Sequence, residues 1–429
     1  MLDSYFKLSE NGVTVRIEVL AGITTFLTMA YILFVNPLIL ADAGMDRSSV
    51  FIATCLAAAV GSLIMGLYAN YPVALAPGMG LNAYFTYGVV LDMGYTWQVA
   101  LGGVFISGVL FLLLSIFRAR EWIINAVPKS LKLAVSSGIG MFLALIALKN
   151  AGIIQGHPET LLTIGNMGAA PALLAAAGFI VIIVLNFRKV PGAIVIGVIL
   201  ATAAGILLDI SPFYGVIATP PAITPTFLQL DLAGAFQIGL VTIVFAFLFV
   251  DLFDSAGTLI GIAHRAGLLD EHGKLPRIRK ALVADSVATV AGATLGTSTT
   301  TSYIESAAGV NAGGRTGLTA VVVSLLFVAA IVLSPLATTI PAYATAPALL
   351  FVACFMAGGL ADIDWNDVTE YVPAVVTALS MPFTFSIATG IGFGFITYTA
   401  IKILGGRASE ASPAVIVISL AFAVKFAIL

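Results

Sequence analysis

Apolar residues run in long unbroken stretches along the whole chain, with polar positions gathered into short intervals between them. Examples are LAGITTFLTMAYILFVNPLIL (20–40), PALLAAAGFIVIIVLNF (171–187) and LTAVVVSLLFVAAIVLSPLA (318–337). A helical run of about 17–22 residues crosses a hydrocarbon core of roughly 30 Å. The runs predict helices near 19–39, 49–69, 77–91, 98–117, 131–148, 171–187 and 191–208. A second set follows near 237–262, 280–295, 303–312, 317–336, 343–361, 368–387 and 389–404. The third and tenth of these fourteen segments are too short to span alone. The fold class is an all-α polytopic membrane protein.

Composition agrees with the pattern. Of 429 residues, 60% are apolar and 9% charged, and the mean hydropathy of +1.09 lies far outside the range of soluble domains. Cys55 and Cys354 each fall inside a hydrophobic run, so neither a disulfide framework nor a metal cluster is indicated. The N-terminal stretch MLDSYFKLSENGVTVRIEVL lacks the basic-then-apolar form of a cleavable signal, so insertion is expected to rely on the membrane helices. The terminal run SPAVIVISLAFAVKFAIL (412–429) could span or lie along the interface.

The net charge of −2 matters less than where the charges sit. With the N-terminus inside, sixteen basic residues fall on the inner side, among them Arg118, Arg188, Arg265, Arg279, Arg315 and Arg407. Two, Arg47 and Lys149, fall outside. Cytoplasmic loops retain basic residues, so this split predicts a plasma-membrane protein with a cytoplasmic N-terminus.

Two sets of seven segments must have opposite orientations, and echoes of a repeat are readable. Residues 118–148 parallel 333–360, and 188–200 parallel 386–398. NYPVALAPGMGLNAYFTYG (70–88) and GTSTTTSYIESAAGVNAGG (296–314) each begin with a short extended piece and continue as a Gly/Ala-rich half-helix. Gly and Ala also permit close helix packing. Short, Gly/Pro-interrupted segments at matching positions of inverted halves, however, point to a transporter's substrate site.

Most of the twenty-one acidic residues lie in loops or at helix ends; the exceptions are Asp251, Asp254, Asp285 and Glu305. A carboxylate at mid-bilayer costs at least about 2.5–3.5 kcal/mol on insertion scales, so each is a candidate for function. In FVDLFDSAGTLIG (249–261), Asp254 and Thr258 share one helical face, and Asp251 lies on a neighbouring row. Burial and a nearby like charge favour the protonated form of such groups, which suits proton coupling. Asp251 or Asp285 could equally cap an interrupted helix. The three histidines fall in loops without metal spacing, and neither a nucleophile–base pair nor a cofactor motif is present, which argues against an enzyme. A channel would want rings of like residues, and an inorganic-anion carrier would want cationic or backbone sites.

The stretches AGITTFLTMAYILFVNP, ANYPVALAPGMGLNAYF, DLFDSAGTLIG, GTSTTTSYIESAAGV and GGRTGLTAVVV resemble those of the nucleobase–cation symporter (nucleobase–ascorbate transporter) family. Within it they are most similar to the adenine/guanine/hypoxanthine permease branch. The resemblance implies a 7+7 inverted repeat with short antiparallel strands in segments three and ten. It implies a core domain (19–117 and 237–336), a gate domain (118–208 and 337–404) and an apolar C-terminal segment (405–429). The substrate-binding positions fall on Asp254, Glu305, Asn82 and Thr258, and the proton-coupling candidates are Asp254, Asp251 and Asp285. Uracil and xanthine carriers of the family have Glu followed four residues later by His where this chain has Asp254 and Thr258. The shorter carboxylate leaves room that suits a purine.

The implied activity is import of adenine, guanine or hypoxanthine by proton symport with an elevator-type movement. An inorganic-anion carrier or a uracil/xanthine carrier of the same architecture is the alternative. The partners are the base, a proton and the bilayer, with neither nucleic acid nor cofactor expected; a homodimer is implied by the resemblance alone. Glu305 would accept from N–H groups of the base, and the start of the tenth half-helix adds a partial positive charge that favours its ionised form.

Overall fold

The computed structural model describes residues 2–116, 127–236, 240–268 and 275–428; the side chains of a few helical positions, Asp254 among them, lie outside the described residues. The first half contains α1 (Val15–Met29), α2 (Ile32–Asp42), α3 (Arg47–Ile64), β1 (Leu75–Pro77), α4 (Met79–Ala83), α5 (Trp97–Ile116), α6 (Lys129–Asn150), α7 (Ala170–Phe187) and α8 (Ala193–Leu207). A short hairpin, β2 (Ile154–His157) with β3 (Leu161–Ile164), joins α6 to α7 where the sequence suggested only a loop. The second half contains α9 (Leu240–Ala266), α10 (Ile278–Leu295), β4 (Thr300–Ser302), α11 (Ser306–Asn311), α12 (Gly317–Ala330), α13 (Ala342–Ala357), α14 (Val368–Phe383), α15 (Ile387–Leu404) and α16 (Pro413–Ile428). Each of the fourteen predicted segments carries helix. Among the described residues, eight helical stretches are long and apolar enough to cross a membrane, α1 and α2 counting together as Val15–Asp42.

The first predicted segment differs from expectation, because it is two helices instead of one. Thr28 donates its hydroxyl back to the Thr24 and Thr25 carbonyls, competing with the helical ladder. Leu33 and Phe34 donate to Ala30 and Tyr31 at 3.1 Å, a tighter i→i+3 pattern. Pro37 lacks the N–H that would serve the Leu33 carbonyl. The break falls at Ala30–Tyr31.

The strands of the third and tenth segments meet as expected. β1 pairs antiparallel with β4, Leu75 opposite Ser302 and Pro77 opposite Thr300. Pro72 and Pro77 bias their preceding residues to extended backbone, and the β-branched run Thr299–Thr301 favours the same conformation. Their outer edges are served by side chains of α3 and α10, which hold matching places in the two halves. Ser62 accepts from the Leu75 N–H at 2.9 Å. Asp285 accepts from the Ser302 N–H at 3.0 Å, and Thr289 donates to the Thr300 carbonyl at 2.9 Å. Buried backbone groups need such partners. Gly78 ends the crossing, where a Cβ would stand 2.7 Å from Thr301 Cγ2.

Two sets of helices pack internally. The strand pair packs against α2, α3, α9 and α10, around which α1 packs on α11 and α12 and α5 on α9 and α10. In the other set α6 packs on α13, α14 and α15, and α7 on α8 and α13. Gly80 of α4 lies on the seam between the sets, since a Cβ there would meet Ile139 of α6 at 2.4 Å. Arg47, one of the two basic residues set apart by the charge pattern, has a structural role, because its guanidinium donates to the Ala337 and Ile340 carbonyls at 2.6 and 2.7 Å. Fully buried Lys402 on α15 bridges Glu370 and Glu410, both at 2.7 Å. Arg407 bridges Asp367 and Glu410 beside it.

Candidate functional site

The strand pair brings the starts of two half-helices together, α4 after β1 and α11 after β4, and α9 packs against β4 and both half-helices. Asn82 sits on α4, fully buried. Its Oδ1 accepts from the Ser298 hydroxyl, while its Nδ2 donates to no described residue. Glu305 sits at the head of α11 and forms no capping bond to its own helix. Its Oε1 accepts instead from the Tyr31 hydroxyl at 2.5 Å, leaving Oε2 without a hydrogen bond among the described residues. The site therefore presents one open donor and one open acceptor. Thr258 is buried on α9, one turn beyond Asp254, whose side chain lies outside the described residues.

Asp251 and Asp285 belong to a buried cluster behind the strands. Asp285 accepts from the Ser302 N–H and hydroxyl at 3.0 and 2.9 Å and from the Ser255 hydroxyl at 2.6 Å. Ser255 in turn shares a 2.7 Å bond with the Thr301 hydroxyl. The contacts of Asp251 to Ser255 and Thr289 are longer, both 3.4 Å. The sequence left function and structure open for Asp285, and its geometry fixes β4 to α9 and α10.

Several participants were not foreseen. Tyr31 is a single polar position in an apolar run, Ser298 one of six consecutive hydroxyl residues and Ser255 the neighbour of Asp254, and only the fold shows what they touch. Glu18 is a further buried carboxylate, fully inaccessible like Asp251 and Asp285 among the described residues. It accepts from the N–H groups of Arg315, Thr316 and Thr319 at 2.9, 3.1 and 3.1 Å and from the Thr319 hydroxyl at 2.5 Å, closing the start of α12. The Thr316 hydroxyl itself accepts from the Leu318 N–H, and the open N–H groups of Thr316 and Thr319 take their acceptor from Glu18.

A family model, Xan_ur_permease, described as a permease family, matches residues 16–427. The chain belongs to this permease family. As a member it is a transporter and not an enzyme, and its apolar helices make it a multi-pass membrane protein. It is 51% identical over 425 residues to the adenine permease AdeP of Escherichia coli (strain K12), covering 99% of this chain and 96% of that one. It is 45% identical over 424 residues to the guanine/hypoxanthine permease PbuG of Bacillus subtilis (strain 168), covering 96% of each. The resemblance read from the sequence motifs is borne out by these relatives. In fold, it superposes with a TM-score of 0.66 on the transmembrane domain of the cyanobacterial bicarbonate transporter BicA, at 16% identity and covering 88% of this permease and 97% of that chain. At that identity the likeness concerns architecture alone.

Proposed function

We propose that this permease imports purine nucleobases by proton symport, with the N-terminus cytoplasmic. The observation that carries the reading is the chemistry at the two half-helix starts. Asn82 Nδ2 is a buried donor without a partner among the described residues, and Glu305 hydrogen-bonds Tyr31 through Oε1, which leaves Oε2 as acceptor. Adenine offers an exocyclic N–H beside a ring-nitrogen acceptor; hypoxanthine and guanine offer a ring N–H beside a carbonyl. Each edge matches one donor and one acceptor. A base lacking the match leaves a buried polar group unpaired, at about 1–3 kcal/mol. The names of the adenine and guanine/hypoxanthine relatives support the same substrate class.

In this reading Asp254 and Thr258 complete the site from α9, and Asp254 carries the proton with Asp251 and Asp285 beside it. A protonated carboxyl moves through the bilayer without the penalty of a charge. The set α1–α5 with α9–α12 forms the core, which slides past the gate set of α6–α8 and α13–α15. The separate internal packing of the two sets, and the glycine seam at Gly80, support this division.

The test is uptake by proteoliposomes of labelled adenine, hypoxanthine, guanine, uracil and sulfate under imposed proton or sodium gradients. We expect purine accumulation driven by an inward proton gradient, collapsing with a protonophore and independent of sodium. Preference for uracil or sulfate rejects the substrate class, and sodium-dependent, protonophore-insensitive uptake rejects the coupling.

A further inference from the structure

We infer that Tyr31 is the positioning residue for the substrate carboxylate Glu305, an inference that rests on the purine reading above. Tyr31 stands in the break between α1 and α2 and is 1% exposed. Its hydroxyl donates to Glu305 Oε1 at 2.5 Å, the range of a charge-assisted O–H···O bond. Thr28, three residues earlier, places its hydroxyl 3.5 Å from the Glu305 carbonyl oxygen. The break thus touches both the side chain and the backbone of the residue that opens α11.

Glu305 needs such a hold. It makes no capping bond to its own helix, and a glutamate side chain carries rotamer freedom that a ligand must otherwise quench. The phenol is a rigid, buried arm with one donor. It takes one oxygen, Oε1, and leaves Oε2 to accept from the base. Being neutral, it leaves the carboxylate's charge available, whereas an arginine in its place would engage both oxygens and cancel that charge. Tyr31 therefore acts on the substrate through Glu305 without touching it.

Tyr31→Phe keeps the ring and removes the hydroxyl. We expect KM for the preferred purine to rise about tenfold, with Vmax within about twofold of the parent and an unchanged thermal midpoint. In a Glu305→Gln background the same change should alter KM by less than about twofold, because the two residues act as one unit. If the two effects multiply independently, or if Tyr31→Phe lowers Vmax or the thermal midpoint with KM unchanged, the inference is overturned. The parent is assayed in the same vesicles: failure to take up any purine there overturns the substrate reading itself, and this inference with it.

Discussion

Replacing Glu18 by glutamine tests whether the start of α12 depends on a carboxylate from α1. The carboxylate receives four donors, two on each oxygen: Arg315 and Thr316 N–H on Oε1, Thr319 N–H and hydroxyl on Oε2. An amide keeps one acceptor oxygen. Its less costly orientation turns the NH2 toward Thr319, whose hydroxyl can reverse and accept, leaving the Thr319 N–H unpaired. One orphaned buried N–H costs about 1–3 kcal/mol, and each of the two surviving bonds loses about 1 kcal/mol when its acceptor becomes neutral. The total is about 3–5 kcal/mol, on a helix start that also favours negative charge by roughly 0.3–1 kcal/mol. Glu18→Ala should cost more, since all four donors lose their acceptor. The assay is thermal unfolding of detergent-purified protein followed by tryptophan fluorescence. We expect the midpoint to fall by several degrees for glutamine and further for alanine, with KM for purine unchanged in the glutamine variant. Midpoints within a degree of the parent for both variants would refute the capping role.

Three further outcomes are expected. Asn82→Ala should weaken or alter purine preference with normal membrane insertion, read by competition uptake; parent-like selectivity would move Asn82 out of the site. Glu305→Gln and Asp254→Asn should each weaken binding roughly ten- to a hundredfold, and the Asp254 variant should still exchange base across the membrane while failing to accumulate it. Accumulation by the Asp254 variant, with exchange alone in the Glu305 variant, would reverse the proton assignment. In the loop before α14, bonds from Thr369 and then Arg407 hold the Asp367 carboxyl below its ordinary value of 3.8, at about 2. Because the folded value is depressed, its stabilising share is complete above pH 3.8 and is lost as pH falls through about 2. The difference in thermal midpoint between the parent and Asp367→Asn should therefore hold from pH 8 to about pH 4; closure between pH 8 and 5 would contradict the assignment.

The spans and the two interrupted segments were legible because hydrophobic length and Gly/Pro interruption are local signals. The strand pairing and the roles of Asn82 and Glu305 came from family resemblance, and the antiparallel pairing of β1 with β4 agrees with the first of these. What could not be read were pairings set by helix rotation across the fold. Tyr31 and Glu305 are 274 positions apart, and nothing local in MAYILF distinguishes a tyrosine that faces a carboxylate from one that faces lipid. The acceptor role of Glu18 was equally illegible, because it depends on where α12 begins. Lys402 and Arg407 were read as topology markers, and their ion pairs with Glu370, Glu410 and Asp367 appear only when α14 and α15 pack.

The crossing of β1 and β4 also sets a timetable for biosynthesis. The Tyr303 hydroxyl that seals the crossing donates to the Pro77 carbonyl at 2.6 Å, 226 positions upstream. At about 5–20 residues per second, a ribosome needs roughly 10–45 s to deliver the second strand after the first. Throughout that interval the inner-edge backbone groups of residues 75–77 have no β4 to pair with, in a medium where unpaired polar groups are costly. The nascent first half must keep that segment hydrated or shielded by another protein until the tenth segment emerges. Ribosome stalling between the two strands should therefore expose this membrane protein to quality-control proteolysis.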